Sequence, residues 1–306
     1  MLTLVARWIP LSVPALAVAL VVLAPGTPRA ARAQPGSEML AEYPWLRELP
    51  GELPELQGLE ARFPPAHGLQ RVPVARGSFA AWLRRLPVRT DRTQPLSWKG
   101  VLQQRPSAAV VALDVGGSDL QQCADTLIRL HAEYLWAAGL EETAAYHFTS
   151  GHRSRWRDWV AGTRWQVLGS RVRRTTGPPM PVDHRGYRVW LRQLFVYAGT
   201  RSLGRDSRPV GPAETLDGGD FFVRPGSPGH AVMVLDVATD SRGRRYGLIG
   251  QGFTPAQELH VVADPGNSAK AHVWFPLPSR PGEALVIPEW SPYPRRLARR
   301  FNVGSN

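Results

Sequence analysis

Residues 231–238 and 245–251 read as two strands rich in Val, Leu and Ile, separated only by a short polar connection containing Thr239-Asp-Ser-Arg-Gly243. So short a link with turn residues joins antiparallel neighbours, because a parallel pair needs a crossover of a dozen residues or more. This hairpin constrains the fold more than any other feature. Further strand candidates are residues 108–115, 220–224 and 259–263. Helical spacing covers 78–86, 119–138 and 183–198, the last setting Tyr187, Trp190, Leu191, Leu194, Phe195 and Ala198 on one face. Helices cluster early and strands late. The pattern predicts an α+β domain with a mainly antiparallel sheet and packed helices.

The chain of 306 residues is 43% hydrophobic and 20% charged with 11 Trp, enough apolar surface to exclude full-length disorder. Its 29 Gly and 29 Pro follow no period, which excludes collagen. Residues 1–33 have the form of a secretory signal peptide: Arg7 without acids, an apolar stretch from Leu11 to Ala24, and Ala31-Arg32-Ala33 as cleavage site. Residues 34–57 are rich in Pro and Glu and read as a linker or an arm docking on the domain; 58–306 read as one α+β domain. No second run of spanning length follows, so the mature chain is expected to be periplasmic or secreted without a transmembrane segment. The net charge is +12, and removing Arg7, Arg29 and Arg32 leaves 12 − 3 = +9. A basic exported protein is expected to meet the cell wall or another anionic envelope polymer, and not nucleic acid. Nothing in the sequence fixes an oligomeric state.

Cys123 is the only cysteine, so an exported chain has no internal disulfide framework, and the thiol is intermolecular, buried and inert, or nucleophilic. A strand over 110–115 runs into Gly116-Gly117-Ser118, and Asp119-Leu-Gln-Gln122 then resembles a capping box, which places Cys123 at the fourth helical position. Amides and the dipole at a helix start favour a thiolate, an effect that fades past the first turn. Against this, Leu120, Cys123, Leu127, Leu130 and Tyr134 share one stripe, which suits a small core residue equally well.

A Gly/Pro-rich loop delivers His230 to the first position of the apolar strand, a rigid mount for a general base. Gln251, near the far end of the facing strand, lies directly or diagonally across and is expected to orient the imidazole. Asp236 is six residues along, roughly 20 Å away, too far to serve as the third member. Cys123 as nucleophile, His230 as proton shuttle, and the Cys123 amide with the Gln122 side chain as oxyanion donors make a complete set for acyl transfer.

A second candidate region interleaves aromatics and arginines: Trp156, Trp159 and Trp165 with Arg153 suit stacking on sugars while holding anions. A packed Trp cluster fits the same residues. His147, His152 and His184 lack metal-ligand spacing, and the Gly116-Gly117 turn lacks both phosphate-loop signatures, so no metal and no cofactor is expected.

Gln122-Cys123 opening a helix, and Gly219-Asp-Phe-Phe-Val223 followed by Gly229-His230-Ala-Val-Met-Val234, resemble the papain-like cysteine hydrolases of bacterial walls, the NlpC-like peptidases and CHAP amidases. The resemblance implies a papain-like arrangement, with an insertion over 140–210 because 107 positions separate Cys123 from His230. Most of the mature chain also resembles the family catalogued as domain of unknown function 4846. That likeness rests on Arg62-Phe-Pro-Pro65, Ser78-Phe-Ala-Ala-Trp-Leu83, Asp119-Leu-Gln-Gln-Cys-Ala-Asp125, Phe148-Thr-Ser-Gly151, Tyr197-Ala-Gly-Thr200, Gly226-Ser-Pro-Gly-His-Ala231 and Thr254-Pro-Ala-Gln257, and implies no activity. The expectation is an exported cysteine hydrolase, a peptidase or amidase, cutting an amide bond of an envelope polymer such as peptidoglycan. The rival is a non-catalytic envelope protein that binds glycan or anionic polymer through a basic, Trp-rich face.

Overall fold

The hairpin forms the middle of a nine-stranded sheet in a computed structural model, which describes residues 36–169, 171–226, 229–266 and 272–302. The signal-like stretch over 1–33 lies outside the described residues, and the described residues cluster as one unit. The strands are β1 (Leu69–Arg71), β2 (Ser107–Val110), β3 (Ser207–Pro209), β4 (Phe221–Arg224), β5 (His230–Asp240), β6 (Arg245–Gln251), β7 (His260–Val262), β8 (Trp274–Pro276) and β9 (Ala298–Phe301). Their order is β2-β7-β6-β5-β4-β9-β3, with β8 also on β6 and β1 also on β5, and every pairing is antiparallel. The molecule is α+β, as the order of patterns predicts.

β5 is buried on both faces, which explains its nearly unbroken apolar run. Ala231, Met233 and Leu235 enter the core shared with the helices, while Val232 and Val234 enter a second core with Phe222, Ile249 and Tyr293. A bulge between Val234 and Asp236 interrupts the alternation. Beyond it Asp236 is held by Arg71 at 2.7 Å and Arg84 at 2.8 Å, remote from His230 in function as the sequence requires.

Four helices matter here: α1 (Ser37–Glu42), α2 (Phe79–Arg84), α3 (Cys123–Ala137) and α4 (His184–Tyr197). α1 belongs to the Pro/Glu-rich arm, which docks through buried Tyr43, Trp45 and Leu46; the Trp45 indole donates to the Ala112 carbonyl at 2.6 Å. α4 buries the predicted stripe of Tyr187, Trp190, Leu191, Leu194 and Phe195. Two further hairpins, Ala145–His147 with Arg153–Arg155 and Thr163–Leu168 with Arg171–Thr176, lie outside the large sheet within the 140–210 segment. Among the described residues no helix is long and apolar enough to cross a membrane.

α3 corrects the predicted helix start. Residues 118–122 form tight turns, with the Leu120 amide on the Ser118 carbonyl and the Gln122 amide on the Leu120 carbonyl, both at 2.8 Å. The helix therefore begins one turn late, with Gln122 as N-cap and the Asp125 carboxyl accepting from the Gln122 amide at 3.3 Å. Cys123 is the first helical residue, not the fourth. The strand before it is shorter too, ending at Val110.

Candidate functional site

The amino end of α3 abuts the start of β5 and the end of β6, and a cleft of about 940 Å³ opens at this junction. Gln122, Cys123 and Asp125 line it from the helix, His230 from the sheet, and Phe253 and Trp290 from loops. Two glycines allow the approach. A Cβ at Gly252 would stand 2.4 Å from the Thr126 hydroxyl, so only glycine lets the first turn of α3 rest on the chain leaving β6. A Cβ at Gly229 would meet the Arg224 and Gly226 carbonyls at 2.9 Å, so the loop entering His230 closes tightly.

The sheet register assembles the polar row behind the cleft. Met233 faces Gly250, so continuing one residue sets Gln251 opposite Val232, two positions from His230 on the same face. Across the next gap Gln251 faces His260 directly. The three side chains lie on adjacent strands and bond in sequence: His230 Nε2 to Gln251 Oε1 at 2.8 Å, Gln251 Nε2 to His260 Nε2 at 3.2 Å, and His260 Nδ1 to the Glu258 carbonyl at 3.3 Å.

Donor bookkeeping along this row assigns every proton. The Glu258 carbonyl only accepts, so His260 carries its proton on Nδ1 and presents a lone pair on Nε2. The Gln251 amide nitrogen donates to that lone pair, which leaves Gln251 Oε1 to accept from His230 Nε2–H. His230 Nδ1 then holds the basic lone pair, and it makes no hydrogen bond among the described residues. Trp290 stacks on the ring at 4.2 Å and 4° from parallel, and Phe253 packs beside it at 5.0 Å, so the imidazole has one orientation.

Cys123 lines the same cleft, and the amides of Ala231, the neighbour of His230, of Ala124 and of Cys123 itself act on its thiol. These amides favour a thiolate as the sequence predicts, but burial outweighs them, and with the nearby Asp125 carboxyl it pushes the thiol up to about 11. The predicted lowering is thus reversed, because the side chain is 5% exposed. Burial moves His230 down to about 4, against the Gln251 hydrogen bond and with help from the Arg105 charge. Thiol and imidazole are both neutral at rest.

Gln122 presents its side-chain amide at the cleft, with Nε2 donating to Asp119 at 3.0 Å and Oε1 accepting from the Thr254 hydroxyl at 3.1 Å. The Cys123 amide has no acceptor among the described residues, as a first helical position allows. Three buried polar atoms around the thiol also have no partner there: Asp125 Oδ1, Trp290 Nε1 and the Tyr293 hydroxyl. Burial holds the Asp125 carboxyl well above its usual range.

In the second predicted region two of the three tryptophans are buried. Trp156 is 1% exposed and Trp159 6%, because the short helix Trp156–Val160 turns both rings inward. Trp156 packs edge-on to Tyr187 and beside Trp190 of α4, while the Arg164 guanidinium covers Trp159 at 4.1 Å. Trp165 is half-buried against Phe148 and His152, and Arg153 lines a separate small pocket with His131 and Asp206. His147 pairs with Asp206, and His184 bridges Glu133 and Glu48.

Sequence reasoning missed His260 and Trp290. His260 was detectable as a polar residue opening an apolar strand, the same signal that marks His230. Trp290 sits in a remote loop, and no local pattern relates it to His230. No curated protein and no solved structure matches the chain. Residues 59–299 match the family described as domain of unknown function (4846), and that span runs from before β1 into β9 and includes every residue of the cleft named above, so the chain belongs to this family.

Proposed function

We propose that the cleft is the active site of an exported cysteine hydrolase, a peptidase or amidase, acting by a papain-like mechanism on an amide bond of an envelope polymer such as peptidoglycan. One observation carries this reading: the row Glu258–His260–Gln251–His230 leaves a lone pair on Nδ1 of an immobilised imidazole, in the cleft that the only thiol of the chain also lines. A core cysteine needs no such arrangement.

In the reaction the Cys123 sulfur attacks the amide carbonyl carbon as its proton passes to His230 Nδ1. The new oxyanion is held by the Cys123 amide and the second N–H of the Gln122 side chain. His230 returns the proton to the leaving nitrogen, the C–N bond breaks, and a thioester on Cys123 remains. Water, losing a proton to His230 Nδ1, attacks the thioester; the acid leaves and the proton restores the thiol. The imidazolium that forms transiently is stabilised by Gln251 and covered by Trp290. The signal-like segment and the basic charge support an envelope location and an anionic polymer as substrate.

The test is release of new amino groups from purified peptidoglycan, measured for the mature protein and for Cys123→Ala and His230→Ala. Activity lost in both variants supports the reading; activity equal in the wild type and Cys123→Ala removes the thiol from the mechanism.

A further inference from the structure

The cleft continues past Leu120 and Phe195, which line it and also line an annex of about 210 Å³. The annex lies between the Val115–Ser118 turn and α4, whose Arg185, Arg188 and Arg192 face it. Its acids are already engaged. Asp114 takes two hydrogen bonds from Arg188 at 2.8 and 2.7 Å and a third from the buried Arg129 at 3.3 Å. Arg185 and Arg192 have no carboxylate partner among the described residues; Arg192 only donates to the Ser118 hydroxyl at 2.9 Å.

The turn itself is an anion receptor in form. Gly116 has φ +71°, a conformation glycine adopts freely, and the amides of Gly116, Gly117 and Ser118 have no acceptor among the described residues. Successive free amides around a left-handed residue make a concavity that suits anionic oxygens. Two guanidiniums without carboxylates supply the charge and the forked geometry for a carboxylate or phosphate. Arg192 stands one helical turn before Phe195, about 4.5 Å along the axis, so the two cavities are close enough for one extended ligand.

We propose that the annex is a subsite that holds an anionic oxygen group of the ligand occupying the cleft, so that the substrate carries a free carboxylate or a phosphate. This rests on the cleft being the substrate site. It does not depend on Cys123 being the nucleophile.

The experiment uses the Cys123→Ala protein, so that binding is read without turnover, and follows the Arg side-chain Nε–H resonances by NMR. The probes are N-acetyl-trialanine with a free carboxylate, its C-terminal amide, and glycerol 1-phosphate. The expected result is that the free acid or the phosphate shifts the Arg185 and Arg192 signals and binds at least tenfold tighter than the amide. That preference disappears in Arg185→Gln/Arg192→Gln and survives in Arg201→Gln, which removes a cation that lines the cleft but not the annex. Preference for the peptide acid assigns a carboxylate, and preference for glycerol phosphate assigns a phosphate. Equal binding of acid and amide with no response to the phosphate, or loss of the preference in Arg201→Gln, overturns the subsite. Failure of amine release by the wild type, with this preference intact, defeats the hydrolase reading alone.

Discussion

Alkylation of Cys123 as a function of pH tests the electrostatics of the site most directly. With the thiol at about 11 and a usual thiol at about 8.5, the thiolate fraction at pH 7 is about 300-fold lower in the folded protein than in the unfolded chain. Moving the proton to an imidazole at about 4 crosses roughly seven pH units, or roughly 10 kcal/mol at 1.36 kcal/mol each. Attraction within the resulting ion pair returns about 4 kcal/mol for charges about 4 Å apart at an effective dielectric of 20. The neutral pair still wins by several kcal/mol, so His230 acts as a base during attack and not before it. Iodoacetamide should therefore modify the native protein about 300-fold more slowly than the urea-unfolded protein at pH 7. The native rate should climb without a plateau to pH 10, and His230→Ala should leave it within threefold. A rapid plateau below pH 8 that vanishes in His230→Ala refutes the reasoning, because it requires a thiolate–imidazolium pair that outweighs the burial described above.

Gln251→Leu leaves His230 Nε2–H and His260 Nε2 without partners in a buried row; it should cost about 1–3 kcal/mol per unsatisfied group in urea unfolding and abolish amine release, with no binding of the anionic probes lost. Gly252→Ala places a Cβ against Thr126, so thermal unfolding should show a loss of about 1–3 kcal/mol, whereas Gly204→Ala, with open space at its Cβ, should show none. His184 is pushed down by burial, but its hydrogen bonds to the Glu133 and Glu48 carboxylates outweigh this and raise it above 6.5. A raised histidine stabilises fully below its unfolded value and loses that contribution as pH rises through the folded value. The Tm difference between wild type and His184→Gln should accordingly be larger at pH 5.5 than at pH 9, and a difference that grows with pH contradicts the assignment.

Local pattern made several elements legible. The apolar runs and the short polar link specify the β5–β6 hairpin whatever surrounds it, because so short a connection admits only antiparallel neighbours. The stripe on α4 likewise announces its buried face. The start of α3 was misplaced because two capping boxes overlap: Asp119 with Gln122, and Gln122 with Asp125. Both satisfy local chemistry, and contacts from outside choose between them, since Asp119 is taken by the Ala256 amide at 2.6 Å. The Trp–Arg segment was ambiguous for a similar reason: its composition suits a sugar-binding face and a core, and the burial of Trp156 comes from its packing against α4.

By itself the sequence determined the α+β class, the central hairpin, and the presence of Cys123, His230 and Gln251 on elements suited to chemistry. Tertiary structure decided the rest. It set Cys123 at the first position of α3, where a helix start and the Ala231 amide meet one sulfur. It added His260 and Trp290, which fix the tautomer and the plane of His230 from across the sheet and from a distant loop. It also reversed the direction in which the thiol titrates. The division has one cause: propensity and periodicity are properties of neighbours along the chain, whereas burial and proton placement depend on groups that only folding brings together.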